Sequence, residues 1–270
     1  MRIGELLAPN VSVHDVIFPL VSLIPEPQFV GTCFSVSSCG IYATAAHIFE
    51  PFQEVTPERR KPEISQKPLT YNSDELQVGI FRIKEDKNGF VGKLFPVDGL
   101  TIFFDQDIAF LIITDEHTSR FGFSHPSAIP IMELPKVGMP VRIIGCPKEG
   151  HFENETKIGF AFVESVGVIT EKHPEKRDNG FYWFPCFETN ASMGPGHSGG
   201  PVLNTSNYSV MGINSGSLGS DYSVISWIGK ALDLEFSIPG LNITTLKGDK
   251  IPFQSISLRK LENHGLTTIV

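Results

Sequence analysis

Apolar residues along this chain gather into short runs divided by turn-forming clusters, a spacing that favours strands over helices. Residues 16–24 and 29–36 read as the opening strands. A polar turn at Ser37-Ser38-Cys39-Gly40 follows, and the next strand runs into His47. Charge and proline dominate between Pro51 and Pro68, which predicts an inserted surface loop. Residues 76–84 and 103–113 supply further apolar runs. From Ala128 onward turn signals recur at 136–140, 146–150 and 174–180, with strands expected at 141–145 and 159–170, the cadence of a second small barrel. One segment breaks the pattern: the apolar positions within 224–232 fall at helical spacing and predict a short amphipathic helix.

Composition sharpens this picture. The 270 residues include 25 glycines, 20 prolines and 21 phenylalanines, and 41 % are hydrophobic, enough to bury a substantial core in an all-β protein of many short strands. A boundary between two compact halves is expected near residues 115–128. It gives units 1–120 and 121–235 and an extension, 236–270, read as a docked tail or a partner-binding segment. With 22 Lys and Arg against 30 Asp and Glu the formal net charge is -8, and the one dense basic run, Arg59-Arg60-Lys61, sits beside Glu58 and Glu63. No nucleic-acid partner is expected, since backbone-dominated binding needs a concentrated basic surface. No window reaches the roughly 18 uncharged apolar residues of a membrane span, and the first ten residues lack a signal-peptide core; the expectation is a cytoplasmic protein with no membrane association.

Cys33, Cys39, Cys146 and Cys186 are too few for a disulfide scaffold and are expected as reduced thiols. A zinc set drawn from Cys146, His151, His173 and Cys186 lacks the paired ligand spacing of such sites, so neither metal nor cofactor is expected.

The strongest chemical signal is Gly196-His197-Ser198-Gly199-Gly200-Pro201. Glycines on both sides of a serine let the backbone turn sharply, bring its N–H groups near a bound carbonyl and leave one hydroxyl exposed. A hydroxyl is a poor nucleophile at neutral pH, so it needs an imidazole to take its proton and a carboxylate to orient that imidazole. Tyr42-Ala43-Thr44-Ala45-Ala46-His47 and Asp107-Ile108-Ala109-Phe110-Leu111 offer both, in the order His, Asp, Ser. Asp105 competes with Asp107, because two residues apart on a strand they would share a face.

These motifs, together with Gly31-Thr32-Cys33-Phe34-Ser35-Val36 and the segment Thr189 to Pro201, resemble the trypsin-like serine proteases of the chymotrypsin fold. Within that group they are most similar to the bacterial high-temperature-requirement proteases, whose nucleophile segment ends in Pro-Gly-x-Ser-Gly-Gly. The likeness covers roughly residues 15 to 235, is weakest between 50 and 100, and leaves too short a tail for a PDZ module. It implies two six-stranded antiparallel β-barrels with a short C-terminal helix and a C-terminal extension. It also implies a serine endopeptidase acting through His47, Asp107 and Ser198 and an acyl-enzyme, with the backbone N–H groups of Gly196 and Ser198 as the oxyanion hole.

The same resemblance places Ser192 and Met193 at the specificity pocket, whose neutral character implies small or medium apolar P1 side chains; Asp221 is the alternative that would restore a basic preference. Ser215, Gly216 and Ser217 would hold the peptide as an added strand, with Ser215 also bonding the catalytic aspartate. His197 stands where pancreatic-type enzymes carry the aspartate of the zymogen switch, so no activating cleavage is implied; its identity reads as permissive. The expected partners are a protein or peptide substrate and a regulatory protein that gates the enzyme through the 51–68 loop or the tail. Two other readings remain open: a catalytically silent peptide-binding pseudoprotease, and an esterase of the same fold.

Overall fold

Every residue of the Ile17–Ser22 and Ile108–Ile112 strands is buried, which is why these stretches read as nearly unbroken apolar runs. They belong to an eight-stranded sheet with the order Leu69–Asn72, Gly99–Phe103, Ile108–Ile112, Ile41–Thr44, Gln28–Ser35, Ile17–Ser22, Val78–Asp86, Gly89–Pro96. Adjacent strands are antiparallel. The computed structural model describes residues 6–8, 11–52, 68–72, 77–86, 89–146, 151–154, 157–194, 196–219, 221–236, 242–244, 250–252 and 256–270. Most of the 51–68 loop lies outside them.

The second half forms a closed six-stranded barrel of Pro140–Gly145, Val163–His173, Cys186–Thr189, Tyr222–Ser226, Val210–Leu218 and Pro201–Asn204. Val163–His173 is the opposite of the fully buried strands: Val163, Val166 and Val168 are exposed while Ile169 points into the barrel with Val141, Ile143, Phe187 and Val202. The architecture is that of the chymotrypsin-like fold. The two halves differ in closure, the first being a curled sheet of eight strands and the second a true barrel.

The helix expected at 224–232 is absent. Val224 and Ile225 instead sit in the Tyr222–Ser226 strand, paired with Cys186–Thr189 on one side and Val210–Leu218 on the other, and only a 3-10 turn, Ile228–Lys230, follows. Apolar side chains at 224, 225, 228, 231 and 232 fit both readings. Two flanking strands that need a partner, and the β-branched pair Val224-Ile225, decide for the strand.

The short C-terminal helix lies further on, at Leu258–Asn263, where the Ser257 side chain caps the helix by accepting from Lys260 N at 3.3 Å. Leu258, Leu261 and Leu266 are buried in the largest core cluster, and each contributes roughly 1.5–3 kcal/mol on burial. The end of the chain is threaded between the halves: Ser38 N donates to Leu266 O at 2.9 Å, Val270 N to Ile131 O at 2.8 Å and Glu133 N to Val270 O at 3.0 Å. Phe236 stacks on Phe110 at 4.5 Å. Residues 256–270 of the extension are docked against the rest of the molecule. Among the described residues no helix is long and apolar enough to cross a membrane, and all four cysteines are free thiols.

Candidate active site

Antiparallel pairing sets the first half of the site. Ala109 lies opposite Thr44, so Asp107, just before one strand, and His47, just after the other, emerge at the same end of the sheet. Residues 104–107 form a turn rather than a strand, and Asp107 has φ 49°. The premise that Asp105 and Asp107 share a strand face therefore fails. Asp107 reaches His47 twice over: Oδ1 accepts from the His47 backbone N–H at 2.9 Å, and the ring Nδ1 lies 3.1 and 3.0 Å from the two carboxylate oxygens. This places the ring proton on Nδ1 and turns the lone pair of Nε2 outward. Asp105 makes no such contact, and burial pushes its carboxyl above the ordinary value while its bonds to Gln106 and its own backbone resist.

Asp107 is only 5 % exposed, and its charge is met by more than His47. Ser215 Oγ donates to Oδ2, and Ser226 Oγ donates to the Asp107 carbonyl at 3.3 Å while sharing a hydrogen bond with Ser215. The two serines come from the second barrel, so the acid is held from both halves. The His47 side chain remains 31 % exposed.

Ser198 is brought to the same place by Thr32. Thr32 N donates to the Ser198 carbonyl at 2.9 Å, Thr32 Oγ1 accepts from Cys146 N at 2.8 Å, and Thr32 O accepts from Thr44 Oγ1 at 2.7 Å. One threonine thus ties the serine loop to the strand that leads into His47. Gly199 takes φ 83°, and a Cβ there would strike Thr32 O and Thr44 Oγ1, so only glycine permits the approach. The loop is further pinned by Gly199 N donating to Asn214 O at 2.8 Å and Asn214 Nδ2 donating to His197 O at 3.2 Å. Among the described residues the Ser198 hydroxyl forms no hydrogen bond, and neither the Gly196 nor the Ser198 N–H donates to a backbone acceptor. Gly196 has φ 90°.

His197 is a buried residue, not a permissive loop position. Its Nδ1 lies 2.5 Å from the Gly194 carbonyl, and it packs so close to Gly145 that a Cβ there would sit 2.8 Å from the His197 Cβ and 2.9 Å from its ring. Ser192 is half-buried, whereas Met193, 6 % exposed, packs in the barrel core with Ile143, Phe187 and Met211. Asp221 is exposed in the turn before Tyr222–Ser226. Pairing of Val210–Leu218 with Pro201–Asn204 ends at Ile213, so beyond Asn214 the edge carrying Ser215, half-buried Gly216 and exposed Ser217 has no strand beside it among the described residues. Such an edge accepts an added strand. Of the four weighed zinc ligands, His173 is engaged elsewhere: it lies 3.2 Å from Glu188, whose carboxylate also receives Arg177, and 4.0 Å from Glu171.

A cavity of about 180 Å³ opens beside His47, walled by Phe104, Phe181, Tyr182, Trp183, Phe184 and Glu50. Sequence reading missed this aromatic wall, because the 174–180 turn signal marks a loop without saying where it folds. Asp178 shapes it by accepting from the backbone N–H groups of Gly180, Phe181 and Tyr182 at 2.8, 2.8 and 3.1 Å. Burial would raise that carboxyl, but the three N–H groups and Arg177 outweigh it and hold it below its ordinary value. The dense cluster of Phe181-Tyr182-Trp183-Phe184 was the available signal.

Solved structures share this fold at low identity. The protease Rv3671c from M. tuberculosis in its active form superposes with a TM-score of 0.52 at 16 % identity, covering 96 % of this chain and 84 % of that one. Deg5 gives 0.51 at 16 %, covering 80 % and 85 %, and the MamO protease domain from Magnetospirillum magneticum gives 0.51 at 13 %, covering 80 % and 93 %. No curated protein matches the chain in sequence. The family described as the trypsin-like peptidase domain matches residues 31–213, a stretch that contains His47, Asp107 and Ser198, and the chain therefore belongs to the trypsin-like peptidases.

Proposed function

We propose that the protein is a serine endopeptidase in which Ser198 Oγ attacks a peptide carbonyl, His47 Nε2 takes the proton and later returns it to the leaving amine, and Asp107 holds the ring and stabilises its cationic form. The N–H groups of Gly196 and Ser198 receive the developing oxyanion. The ester so formed is hydrolysed by water, with His47 acting as base a second time. The observation that carries this reading is the buried Asp107 carboxylate, bonded to both the ring and the backbone of His47, at the point where Thr32 docks the Ser198 loop.

The substrate enters as a strand along Ser215 to Ser217, and its side chains meet the aromatic wall beside His47. Ser192, uncharged and half-buried at the pocket position, supports a P1 preference for small or medium apolar residues. A regulatory protein partner belongs to the same proposal, because an unrestrained endopeptidase damages its own surroundings; a change in peptide turnover on adding the partner is its signature.

Labelling by a fluorophosphonate probe tests the reading. Wild type labels and Ser198→Ala does not; a wild type that resists labelling while still binding peptides is a silent binding module instead. Ester turnover without cleavage anywhere in a peptide library would identify an esterase.

A further inference from the structure

Arg82, near the middle of the Val78–Asp86 strand, is 7 % exposed and yet has no ion pair among the described residues. Its guanidinium carbon lies 5.6, 5.6 and 5.3 Å from the ring centres of Phe18, Phe95 and Phe123. Three aromatic faces soften the loss of water around a cation but accept no conventional hydrogen bonds. Nη2 donates to the Ser124 carbonyl at 2.6 Å, while Nε and Nη1 are buried without any partner. A buried charged group left in this condition is unfavourable unless something else completes it.

The same arginine lines a cavity of about 280 Å³ that, among the described residues, shares none with the active-site cleft. Lys84, His14, His125, Ser124 and Phe123 line it too. Lys84 Nζ donates to Gly122 O at 2.9 Å and lies 4.7 Å from the Phe123 ring centre. His125 Nδ1 is buried without a partner, its Nε2 being 2.7 Å from Asp115. Burial holds the His125 imidazole below its ordinary value, against the pull of Asp115, so the fixed positive charges of the cavity are Arg82 and Lys84. Among the described residues Asp15 is the one carboxylate on the lining; its side chain is more than half exposed and is taken up by Ser12 N at 3.3 Å and His14 at 3.5 Å.

We propose that this cavity binds a small anionic ligand through a carboxylate or phosphate group, with Arg82 as the principal donor and Lys84 beside it. Two unmet guanidinium donors suit an oxyanion, which can accept several N–H bonds at once. The volume lies just below the usual range for small-molecule sites, about 300–1,000 Å³, so the occupant is a compact acid and not a peptide chain. Residues 122–127 on the wall lead straight into the crossing between halves, where Ile129 N donates to Ser35 O at 3.2 Å and Met132 N to Val210 O at 2.7 Å. An occupant therefore clamps that crossing to the first sheet.

The test is calorimetric titration and thermal unfolding of the full chain with inorganic phosphate and, separately, succinate, at constant ionic strength with chloride as the control. Wild type and Ser198→Ala show a saturable heat and a rise in unfolding temperature with at least one of the two anions; which one identifies the phosphoryl or carboxylate class. Arg82→Met, which keeps an apolar chain within the aromatic cage, loses about tenfold or more in affinity, the loss expected of one charge-assisted hydrogen bond. Lys84→Gln, on the half-buried rim, weakens binding by a smaller factor and keeps the proposal testable if Arg82→Met does not fold. No saturable response of wild type beyond the chloride control, or equal affinity in a folded Arg82→Met, overturns it.

Discussion

Asp107 and Arg82 are the two most buried of the described Asp, Glu, Lys and Arg residues, at 5 % and 7 % exposure, and they are treated in opposite ways. The carboxylate is met by a ring nitrogen, a backbone N–H and a serine hydroxyl. The guanidinium is met by one carbonyl and three aromatic faces. A charge withdrawn from water must recover its hydration from the protein or from a ligand. Asp107 recovers it internally, so its cluster is a finished device that can hold another group in place. Arg82 does not, so its cluster is half of an interaction. On the proposed reading, the difference separates an acid already braced before substrate arrives from a binding arrangement completed by what it binds.

The largest effects are expected at the finished cluster. Ser198→Ala should lower peptide turnover by roughly a millionfold, the cost typical of removing a nucleophile from such a unit, with the unfolding temperature unchanged; a peptide-cleavage assay measures it. Asp107→Asn should cost roughly ten-thousandfold in kcat, because the amide favours the wrong imidazole tautomer. Asp105→Asn should leave kcat near wild type, and a large loss there would exchange the roles of the two aspartates.

Asp105→Asn also carries a pH signature. Burial raises the folded-state Asp105 carboxyl above its unfolded value, so its contribution to stability is present at low pH and is lost as pH rises through the folded value. The substitution should therefore raise the unfolding temperature slightly at neutral pH and leave it unchanged near pH 3, read by calorimetry. Smaller in its effect on chemistry is Ser215→Ala, which removes one bond to the buried charge and should lower unfolding free energy by about 1.5–3 kcal/mol in urea titrations.

Trp183→Ala should raise KM by roughly threefold to tenfold through loss of one aromatic contact, with kcat little changed. The smallest effect belongs to the unfinished cluster: Arg82→Met should leave turnover within about twofold, because its cavity shares none of the described residues with the cleft. A collapse of turnover in that variant would erase the distinction drawn between the two buried charges.

Many of the strands were legible from local pattern. The runs around Ile17–Ser22 and Ile108–Ile112 are apolar because they are buried throughout, as is Gln28–Ser35 from Gly31 onward, and a buried strand announces itself in any window that contains it. The stretch 224–232 was misread because its apolar positions satisfy two periods, and strands from residues 186–189 and 210–218 chose between them. His197 was misjudged because its burial comes from Gly145, far away in the chain. The aromatic wall at 181–184 was visible as composition and invisible as location.

By itself the sequence determined which residues carry reactive groups, their order along the chain and the β-rich character of the fold, since each depends on residue type and near neighbours. Tertiary structure alone decided that Thr32 joins the Ser198 loop to the strand before His47, that Ser226 joins Ser215 in supporting Asp107 from the other half, and that the last residues bond to both halves. It also decided that Arg82 ends in an aromatic cage beside an open cavity. These are contacts between residues tens to hundreds of positions apart, and their energies depend on distance in space, which no local pattern of side chains contains.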